Sequence, residues 1–187
     1  MTIDLAQLPY ADDVPTAIRH VLSSAQLVFE PAAVERAVDQ LAVRLTVAWQ
    51  DRNPLLVCVL PHGIVLTGML LRRLIFPLQV CYVAGQDTNI IRFDAHPTRF
   101  DARPLLFLHG RESSLMARAL SQWGTAGGAN DVQHIALIRP VSDENEFAEG
   151  ALACDAPELA GCGLDYLGYG ANLPGIYAVR GTRATNT

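Results

Sequence analysis

The most constraining feature of this chain is an unbroken apolar run at residues 55–60, which reads LLVCVL. The run lacks the apolar–polar alternation of a strand with one solvent-facing side, and such continuity is typical of a parallel strand buried on both faces. Pro61-His62-Gly63 ends the run, and residues 64–74 resume with a helical pattern. A buried strand that passes through a tight turn into a helix predicts an α/β fold.

The same alternation of strands and helices continues along the chain. Strands that alternate with helices predict a mainly parallel, twisted sheet of about five strands, flanked by helices and joined by right-handed crossovers. Ligands bind such sheets at the carboxyl ends of the strands. The residues to examine are therefore 61–63, 109–114 and those from Arg139 onward. The further predicted strands are residues 78–83, 105–108 and 132–138, and the predicted helices are residues 16–25, 31–50, 64–74 and 114–123.

Three segments outside these elements are predicted to be irregular. Residues 124–128 (GTAGG) indicate a helix C-terminal cap and turn, because glycine adopts the left-handed conformation there without steric strain. Residues 139–150 are polar and acidic and predict a loop. Residues 181–187 predict a flexible tail. With 187 residues in all, residues 1–187 are predicted to form a single domain.

Composition excludes several classes of function. Half of the residues are hydrophobic and 18% are charged, and the net charge of −5 gives no basic surface for nucleic acid or an anionic membrane. The most apolar region, residues 55–83, is interrupted by prolines and by the Arg72-Arg73 pair, so no membrane span is predicted. The chain contains no lysine, which excludes Schiff-base chemistry, a pyridoxal phosphate anchor and a P-loop lysine.

The cysteines predict buried thiols in a reducing compartment. Cys58 and Cys81 lie inside apolar runs, and none of the four cysteines forms a C-x-x-C pair, so neither a zinc site nor a disulfide framework is predicted. Residues 1–13 (MTIDLAQLPYADD) are acidic and lack the basic start and apolar stretch of a signal peptide. We therefore expect a cytoplasmic protein.

Two stretches of the sequence carry a resemblance to a known family. Residues 53–83 (NPLLVCVLPHGIVLTGMLLRRLIFPLQVCYV) resemble the opening strand, pyrophosphate loop, helix and second strand of the hypoxanthine-guanine phosphoribosyltransferases. Residues 163–181 (GLDYLGYGANLPGIYAVRG) are similar to that family's closing segment, where a GYGxDY run leads to an N-x-P-x-I strand. The resemblance implies a type I phosphoribosyltransferase fold, with a small hood formed by the N- and C-terminal segments. Because members of the family self-associate, it also implies a homodimer or a higher oligomer.

The resemblance further implies a function in purine salvage. The family's reaction joins a purine base, such as hypoxanthine or guanine, to the ribose of phosphoribosyl pyrophosphate, with Mg²⁺ and with release of pyrophosphate. In the family, a loop after the third strand supplies two adjacent carboxylates for the ribose hydroxyls and a further acidic residue for the purine. A Gly/Thr turn at a helix N-terminus binds the 5′-phosphate through backbone amides.

This loop departs from the family pattern in the present chain. The positions of the paired carboxylates hold Leu108 and His109, neither of which is an anionic acceptor. The phosphate turn becomes residues 113–116 (SSLM), without glycine or threonine, and Ala171 stands where the family has an arginine. A missing charge-assisted hydrogen bond to a buried ligand costs roughly 1.5–3 kcal/mol. Together these losses predict a deficit of about 6 kcal/mol or more. This corresponds to at least about four decades in turnover or in the binding of phosphoribosyl pyrophosphate, the donor of the phosphoribosyl group.

We therefore expect a degenerate donor site, as in a pseudoenzyme, and the resemblance assigns the remaining roles position by position. It gives Glu112 the acid/base role and Asp165 the contact to the metal or to the base. It gives Ser113 and Ser114 the phosphate, and Arg139 the purine carbonyl. The other substrate-binding positions are Pro61, His62, Gly63 and His109.

A repurposed binding site would be a different use of the same residues. His62 and His109 both follow predicted strands and should face one crevice, with Asp165 and Glu112 near them. Two imidazoles and two carboxylates could bind a divalent transition metal. The same crevice could instead bind an anion.

The chain as a whole could also have a function other than catalysis of the family reaction. The fold could serve as a non-catalytic regulatory or assembly subunit, in which the apolar helix at residues 64–74 supports a dimer. An α/β-hydrolase is suggested by residues 104–110 (PLLFLHG), which resemble that family's strand and oxyanion element. The sequence contains no G-x-S-x-G nucleophile elbow, which argues against a hydrolase.

Overall fold

The computed structural model describes residues 11–86, 89–93, 100–111, 114–141 and 148–180. Chain contacts divide the molecule into two compact units, one formed by Met1–Val34 and Ala156–Thr187 and the other by Glu35–Asp155. The prediction of one domain stays a prediction. The helices are α1 (Thr16–Ser23), α2 (Pro31–Trp49), α3 (Gly63–Leu71) and α4 (Ser114–Ala126). The strands are β1 (Gln26–Phe29), β2 (Leu55–Val59), β3 (Gln79–Gln86), β4 (Asn89–Arg92), β5 (Pro104–Arg111), β6 (Asp131–Arg139), β7 (Ala148–Ala153), β8 (Leu159–Ala160) and β9 (Ile176–Ala178).

A six-stranded sheet forms the centre of the unit Glu35–Asp155, in the strand order β4-β3-β2-β5-β6-β7. The pairs β3/β2, β2/β5, β5/β6 and β6/β7 are parallel, and β4 pairs antiparallel with β3. Leu55 of β2 lies opposite Gln79 of β3 on one side and Leu105 of β5 on the other. This mainly parallel sheet, flanked by helices, confirms the predicted α/β architecture.

Burial on both faces explains the continuous apolar sequence of β2. Every residue of β2 is buried, and successive side chains point to opposite faces of the sheet. Val57 packs in one cluster with Phe107 of β5 and Leu120 of α4, which places α4 against one face. The neighbouring Cys58 hydrogen-bonds to Thr67 of α3 on the opposite face. The prediction of a doubly buried strand followed by a helix is confirmed.

Glycines end α4 as predicted, although the helix runs to Ala126 rather than stopping at Trp123. The N–H of Gly127 donates to the carbonyl oxygen of Trp123 at 3.0 Å. Gly128 then adopts a φ of 92°, a left-handed conformation that lets the chain turn away while the last helical carbonyls keep partners. The predicted cap is confirmed and lies at the end of the GTAGG segment.

The central sheet contains two strands that the sequence pattern does not indicate. Ala148–Ala153 forms β7, parallel to β6, so the loop predicted at residues 139–150 is wrong at its C-terminal end. The β7 sequence, AEGALA, has weak intrinsic strand propensity, and its pairing with β6 decides its conformation. β4 pairs with the far end of β3, where Gly85 lies opposite Ile90. Both strands therefore depend on partners that a local pattern does not specify.

The unit formed by the two ends of the chain contains a three-stranded antiparallel sheet in the order β1-β9-β8. Leu27 of β1 lies opposite Tyr177 of β9, and Leu159 of β8 lies opposite Ala178 of β9. Tyr177 packs in one buried cluster with Leu22 of α1. The predicted small unit made from the N- and C-terminal segments is confirmed.

Three further expectations concern the C-terminus, the helices and the cysteines. The flexible tail predicted at residues 181–187 lies outside the described residues. Across the described ranges, no helix has the length and apolar character that crossing a bilayer requires. Cys58 and Cys81 are buried and neither is part of a disulfide, as their apolar surroundings predict.

A comparison of two glycines in α3 tests how closely this helix approaches β5. A Cβ atom added at Gly63 would lie 2.1 Å from the backbone oxygen of Leu108, whereas a Cβ atom at Gly68 would have no atom within 4 Å. We expect Gly63→Ala to lower the free energy of unfolding by about 1–3 kcal/mol through overpacking. Gly68→Ala should raise it by about 0.4–1 kcal/mol, because alanine loses less conformational entropy on folding. Urea denaturation followed by circular dichroism measures both, and equal effects would contradict the close approach.

Candidate functional site

A cavity of about 290 Å³ lies at the carboxyl ends of β2 and β5. Its walls come from residues 59–62 at the end of β2, Gly85 of β3, residues 109–111 of β5 and Met116 of α4. In open α/β sheets this edge is where ligands bind. The structure thus brings the turn after β2 and the end of β5 to one cavity.

Two glycines allow these segments to touch. A Cβ atom at Gly110 would lie 2.5 Å from the backbone oxygen of His62 and 2.6 Å from its Cβ. Gly63 approaches the backbone of Leu108 in the same way, from the other segment. Each segment therefore needs a residue without a side chain where it crosses the other. Of the turn residues 61–63, Pro61 and His62 line the cavity, and Gly63 begins α3 behind them.

The end of β5 is a strand where the resemblance predicts a loop. His109 lies opposite Ala136 of β6, and Arg111 lies opposite Ile138. Only 3% of the surface of His109 is exposed. The strand continues this far because residues 104–110 are all buried, so that pairing with β6 satisfies backbone groups that water does not reach.

A chain of hydrogen bonds connects His109 to the interior of the sheet. Nε2 of His109 lies 2.9 Å from Nδ1 of His134 on β6. Nε2 of His134 lies 2.8 Å from the hydroxyl oxygen of Ser121 on α4. The His134 ring stacks on Phe107, with the ring centroids 5.1 Å apart and the planes inclined by 14°. We call these three residues, Ser121, His134 and His109, the imidazole chain.

Burial keeps both imidazoles uncharged. It lowers the pKa of His109 from 6.5 to about 3, with a smaller contribution from the neighbouring His134. Burial also lowers the pKa of His134, to about 4. A neutral imidazole has one N–H donor and one bare nitrogen acceptor. Near neutral pH the imidazole chain is therefore a string of uncharged donors and acceptors.

The cavity wall consequently lacks the negative charge that the resemblance leads one to look for. Leu108, at one of the two carboxylate positions, is fully buried and has no hydrogen-bonding side chain. His109, at the other, is neutral and bonded to His134. Among the described residues that line the cavity, none carries a carboxylate.

The other site residues predicted on this unit are not among the described residues that line the cavity, or they lie outside the described residues. Glu112 and Ser113 lie outside the described residues, and Ser114 is described only as the first residue of α4. Arg139 ends β6 and donates to the carbonyl oxygen of Pro140 at 3.2 Å. Arg139 is not among the described residues that line the cavity. Its role at a purine stays a prediction.

Asp165 lies in the unit formed by the chain ends. Its Oδ2 accepts a hydrogen bond of 2.6 Å from the backbone N–H of Gly168. Gly168 has a φ of 84°, so the carboxylate closes a tight turn that a left-handed glycine makes possible. This local contact accounts for one carboxylate oxygen, and a metal-binding role for Asp165 stays a prediction.

The transition-metal site predicted at His62 and His109 receives no support from the described part of the chain. Within those ranges, no group of three or more His, Cys, Asp or Glu side chains is placed to hold a metal ion. The Nε2 of His109 is already engaged with His134. Glu112, another expected ligand, lies outside the described residues.

Sequence reasoning missed two residues of the site, His134 and Ser121. His134 lies in the strand predicted at residues 132–138, where a single polar residue among apolar ones was the available signal. Linking it to His109 requires the register between β5 and β6, which places Phe107 opposite His134. A sequence pattern does not contain that register.

No family model matches the sequence, and no curated protein matches it. Solved structures do match. A hypoxanthine phosphoribosyltransferase from Staphylococcus aureus has a TM-score of 0.75 and 14% identity, covering 89% of this chain and 98% of that chain. The hypoxanthine-guanine phosphoribosyltransferase of L. donovani has a TM-score of 0.73 and 16% identity, covering 84% of this chain and 100% of that chain.

A hypoxanthine phosphoribosyltransferase of Trypanosoma cruzi is structurally similar as well, with a TM-score of 0.73 and 14% identity, covering 84% of this chain and 97% of that chain. The chain has the hypoxanthine-guanine phosphoribosyltransferase fold. The resemblance read from residues 53–83 and 163–181 is thus confirmed at the level of fold. One fold supports many chemistries, so the activity of a protein with the phosphoribosyltransferase fold must be argued from its site.

The buried histidines of this phosphoribosyltransferase fold predict an acid-labile protein. Below pH 6.5 the unfolded chain protonates His109 and His134, whereas the folded chain keeps them neutral down to pKa values of about 3 and 4. The free energy of unfolding should therefore fall as the pH is lowered from 6.5 towards 4, by up to about 1.4 kcal/mol per pH unit for each histidine. Urea denaturation across this range measures the slope.

The control is a double variant, His109→Leu with His134→Phe, which removes both titrating groups and keeps apolar volume in the sheet. Its slope over the same pH range should be smaller, whatever its stability at neutral pH. A slope equal to that of the unsubstituted chain would show that the two imidazoles are not held neutral.

Proposed function

We propose that this chain is a hypoxanthine-guanine phosphoribosyltransferase-like protein of purine salvage whose donor site supports little or no turnover. Three observations support a purine-salvage origin. The fold is that of proteins named for hypoxanthine and guanine, the two motif stretches resemble that family, and the cavity lies at the edge of the sheet where such ligands bind.

The observation that carries the impaired-site proposal is the absence of a carboxylate at Leu108 and His109 of β5. A ribose hydroxyl facing Leu108 finds no acceptor, and one facing His109 finds a neutral imidazole. Replacing two charge-assisted hydrogen bonds at roughly 1.5–3 kcal/mol each removes about 3–6 kcal/mol. That range corresponds to about two to four decades in donor affinity or in turnover.

The remaining roles are proposals that rest on the resemblance. Glu112 is the candidate acid/base, Ser113 and Ser114 are candidates for the phosphate, and Arg139 is the candidate for the purine carbonyl. The turn after β2 would frame the pyrophosphate. The purine base is then the ligand that we expect the chain to retain.

Mg²⁺ fits the described cavity wall poorly. This ion takes oxygen ligands and is usually held by one or two carboxylates together with substrate phosphates. The described residues lining the cavity contribute no carboxylate. Asp165 is the remaining candidate, and Mg²⁺ would otherwise depend on the oxygens of a bound donor.

Calorimetry with phosphoribosyl pyrophosphate and Mg²⁺ tests the proposal. We expect no micromolar binding of the donor and, in assays with hypoxanthine, guanine and xanthine, turnover at least about a hundredfold below that of an intact family member. A hypoxanthine phosphoribosyltransferase with an intact donor loop, run in the same buffer, is the positive control. Micromolar donor binding together with ordinary turnover would refute the impaired-site proposal.

An assembly role is the second candidate, and an exposed apolar surface favours it. Val43 and Val47 of α2 and Ile75 after α3 are 65%, 77% and 92% exposed. They line one shallow hollow, next to Arg73, which pairs with Asp39 at 2.6 Å. Exposed apolar residues grouped in this way are typical of protein–protein contacts. We propose that this surface supports a homodimer or higher oligomer, and that four cysteines outside any disulfide suit a cytoplasmic location.

Light scattering coupled to gel filtration tests the assembly proposal. Ile75→Arg should shift an oligomer towards the monomer, because it puts a charge into an apolar contact. Val141→Arg is the matched control, since Val141 is also exposed, at 56%, but does not line this hollow. Equal masses for the two variants and the unsubstituted chain would remove this surface as the interface.

A further inference from the structure

The imidazole chain has an outer end at the cavity. Nε2 of His109 bonds inward to His134, which leaves Nδ1 as the outer polar atom of the ring. His109 is one of the residues that line the cavity, so we take Nδ1 as the ring atom available to a ligand there.

Two neutral proton arrangements fit the distances. In the first, the Ser121 hydroxyl donates to Nε2 of His134, Nδ1–H of His134 donates to Nε2 of His109, and Nδ1 of His109 carries a proton towards the cavity. In the second, Nε2–H of His109 donates to Nδ1 of His134, and Nε2–H of His134 donates to the Ser121 oxygen. Nδ1 of His109 is then a bare acceptor. Each imidazole carries one proton in both arrangements, so no charge is created by the change.

We propose that the imidazole chain is a specificity-determining element of the cavity, in which Ser121 and His134 set the tautomer of His109 and His109 binds an uncharged, hydroxyl-bearing part of the ligand. A hydroxyl group both donates and accepts, so it matches either state of Nδ1. A neutral imidazole gives an anion no charge-assisted bond, and the low pKa of both histidines keeps it neutral. The ligand class rests on the proposed function, since a nucleoside is then the natural hydroxyl-bearing ligand.

Removal of the Ser121 hydroxyl should lock the tautomer. In Ser121→Ala, Nε2 of His134 has no partner, and a buried N–H without an acceptor is less tolerated than a bare acceptor nitrogen. His134 should then carry its proton on Nδ1 and donate to His109, whose own proton is held on Nδ1. Ser121 and His134 are positioning residues in this scheme, and His109 is the residue that meets the ligand.

Nitrogen-15 NMR of the imidazole rings, at pH 7 and in the full chain, tests the tautomer claim. In the unsubstituted protein, Nδ1 of His109 should show a shift between those of a protonated and a bare nitrogen. In Ser121→Ala it should move fully to that of a protonated nitrogen. Thr125→Ala is the matched control, because it removes an exposed hydroxyl from the same helix, and it should cause no change. A shift of Nδ1 that is the same in all three proteins, or a charged imidazole, would overturn the claim.

Titration with inosine and with hypoxanthine tests the ligand class. Inosine carries ribose hydroxyls and no charge, and at millimolar concentrations it should move the Nδ1 shift of His109, whereas the base alone should not. No change with inosine, or an equal change with hypoxanthine, would overturn the hydroxyl assignment. These outcomes are independent of the donor-binding experiment. Micromolar binding of phosphoribosyl pyrophosphate would refute the impaired site and leave the tautomer result standing.

Discussion

The parallel pairing of β2 with β5 is the constraint on which the rest of the structure depends. It brings the ends of both strands to one edge of the sheet, where Gly63 and Gly110 let the two segments cross at backbone contact. A side chain at either position would force the segments apart. The cavity wall, the start of α3 and the burial of His109 all follow from this crossing.

A polar group inside an apolar sheet is stable only when its hydrogen bonds are made there. His109 and His134 lie among buried apolar residues, where an unpaired polar group is destabilised by about 1–3 kcal/mol. Each provides a partner for the other, and Ser121 provides a third. The same burial that makes these bonds necessary also suppresses the positive charge, which explains why this histidine pair is not cationic near neutral pH.

The phosphoribosyltransferase fold of this chain does not by itself define the chemistry of its cavity. The cavity lies at the edge of the sheet where ligands bind in such folds, and its described wall contains Arg111 but no carboxylate. The ligand must therefore be inferred from the side chains of the wall and not from the fold.

Elements with a local pattern could be predicted from the amino-acid sequence. The continuous run at β2, the glycine cap of α4 and the helix after residues 61–63 depend on burial, φ angles and turn geometry within a few residues. Features that depend on strand register could be seen only in the folded chain. β7 exists because β6 pairs with it, and His134 meets His109 because two strands align in one way. Such pairings join residues far apart in the chain. A pattern within a few residues does not specify which residues of two strands lie opposite one another.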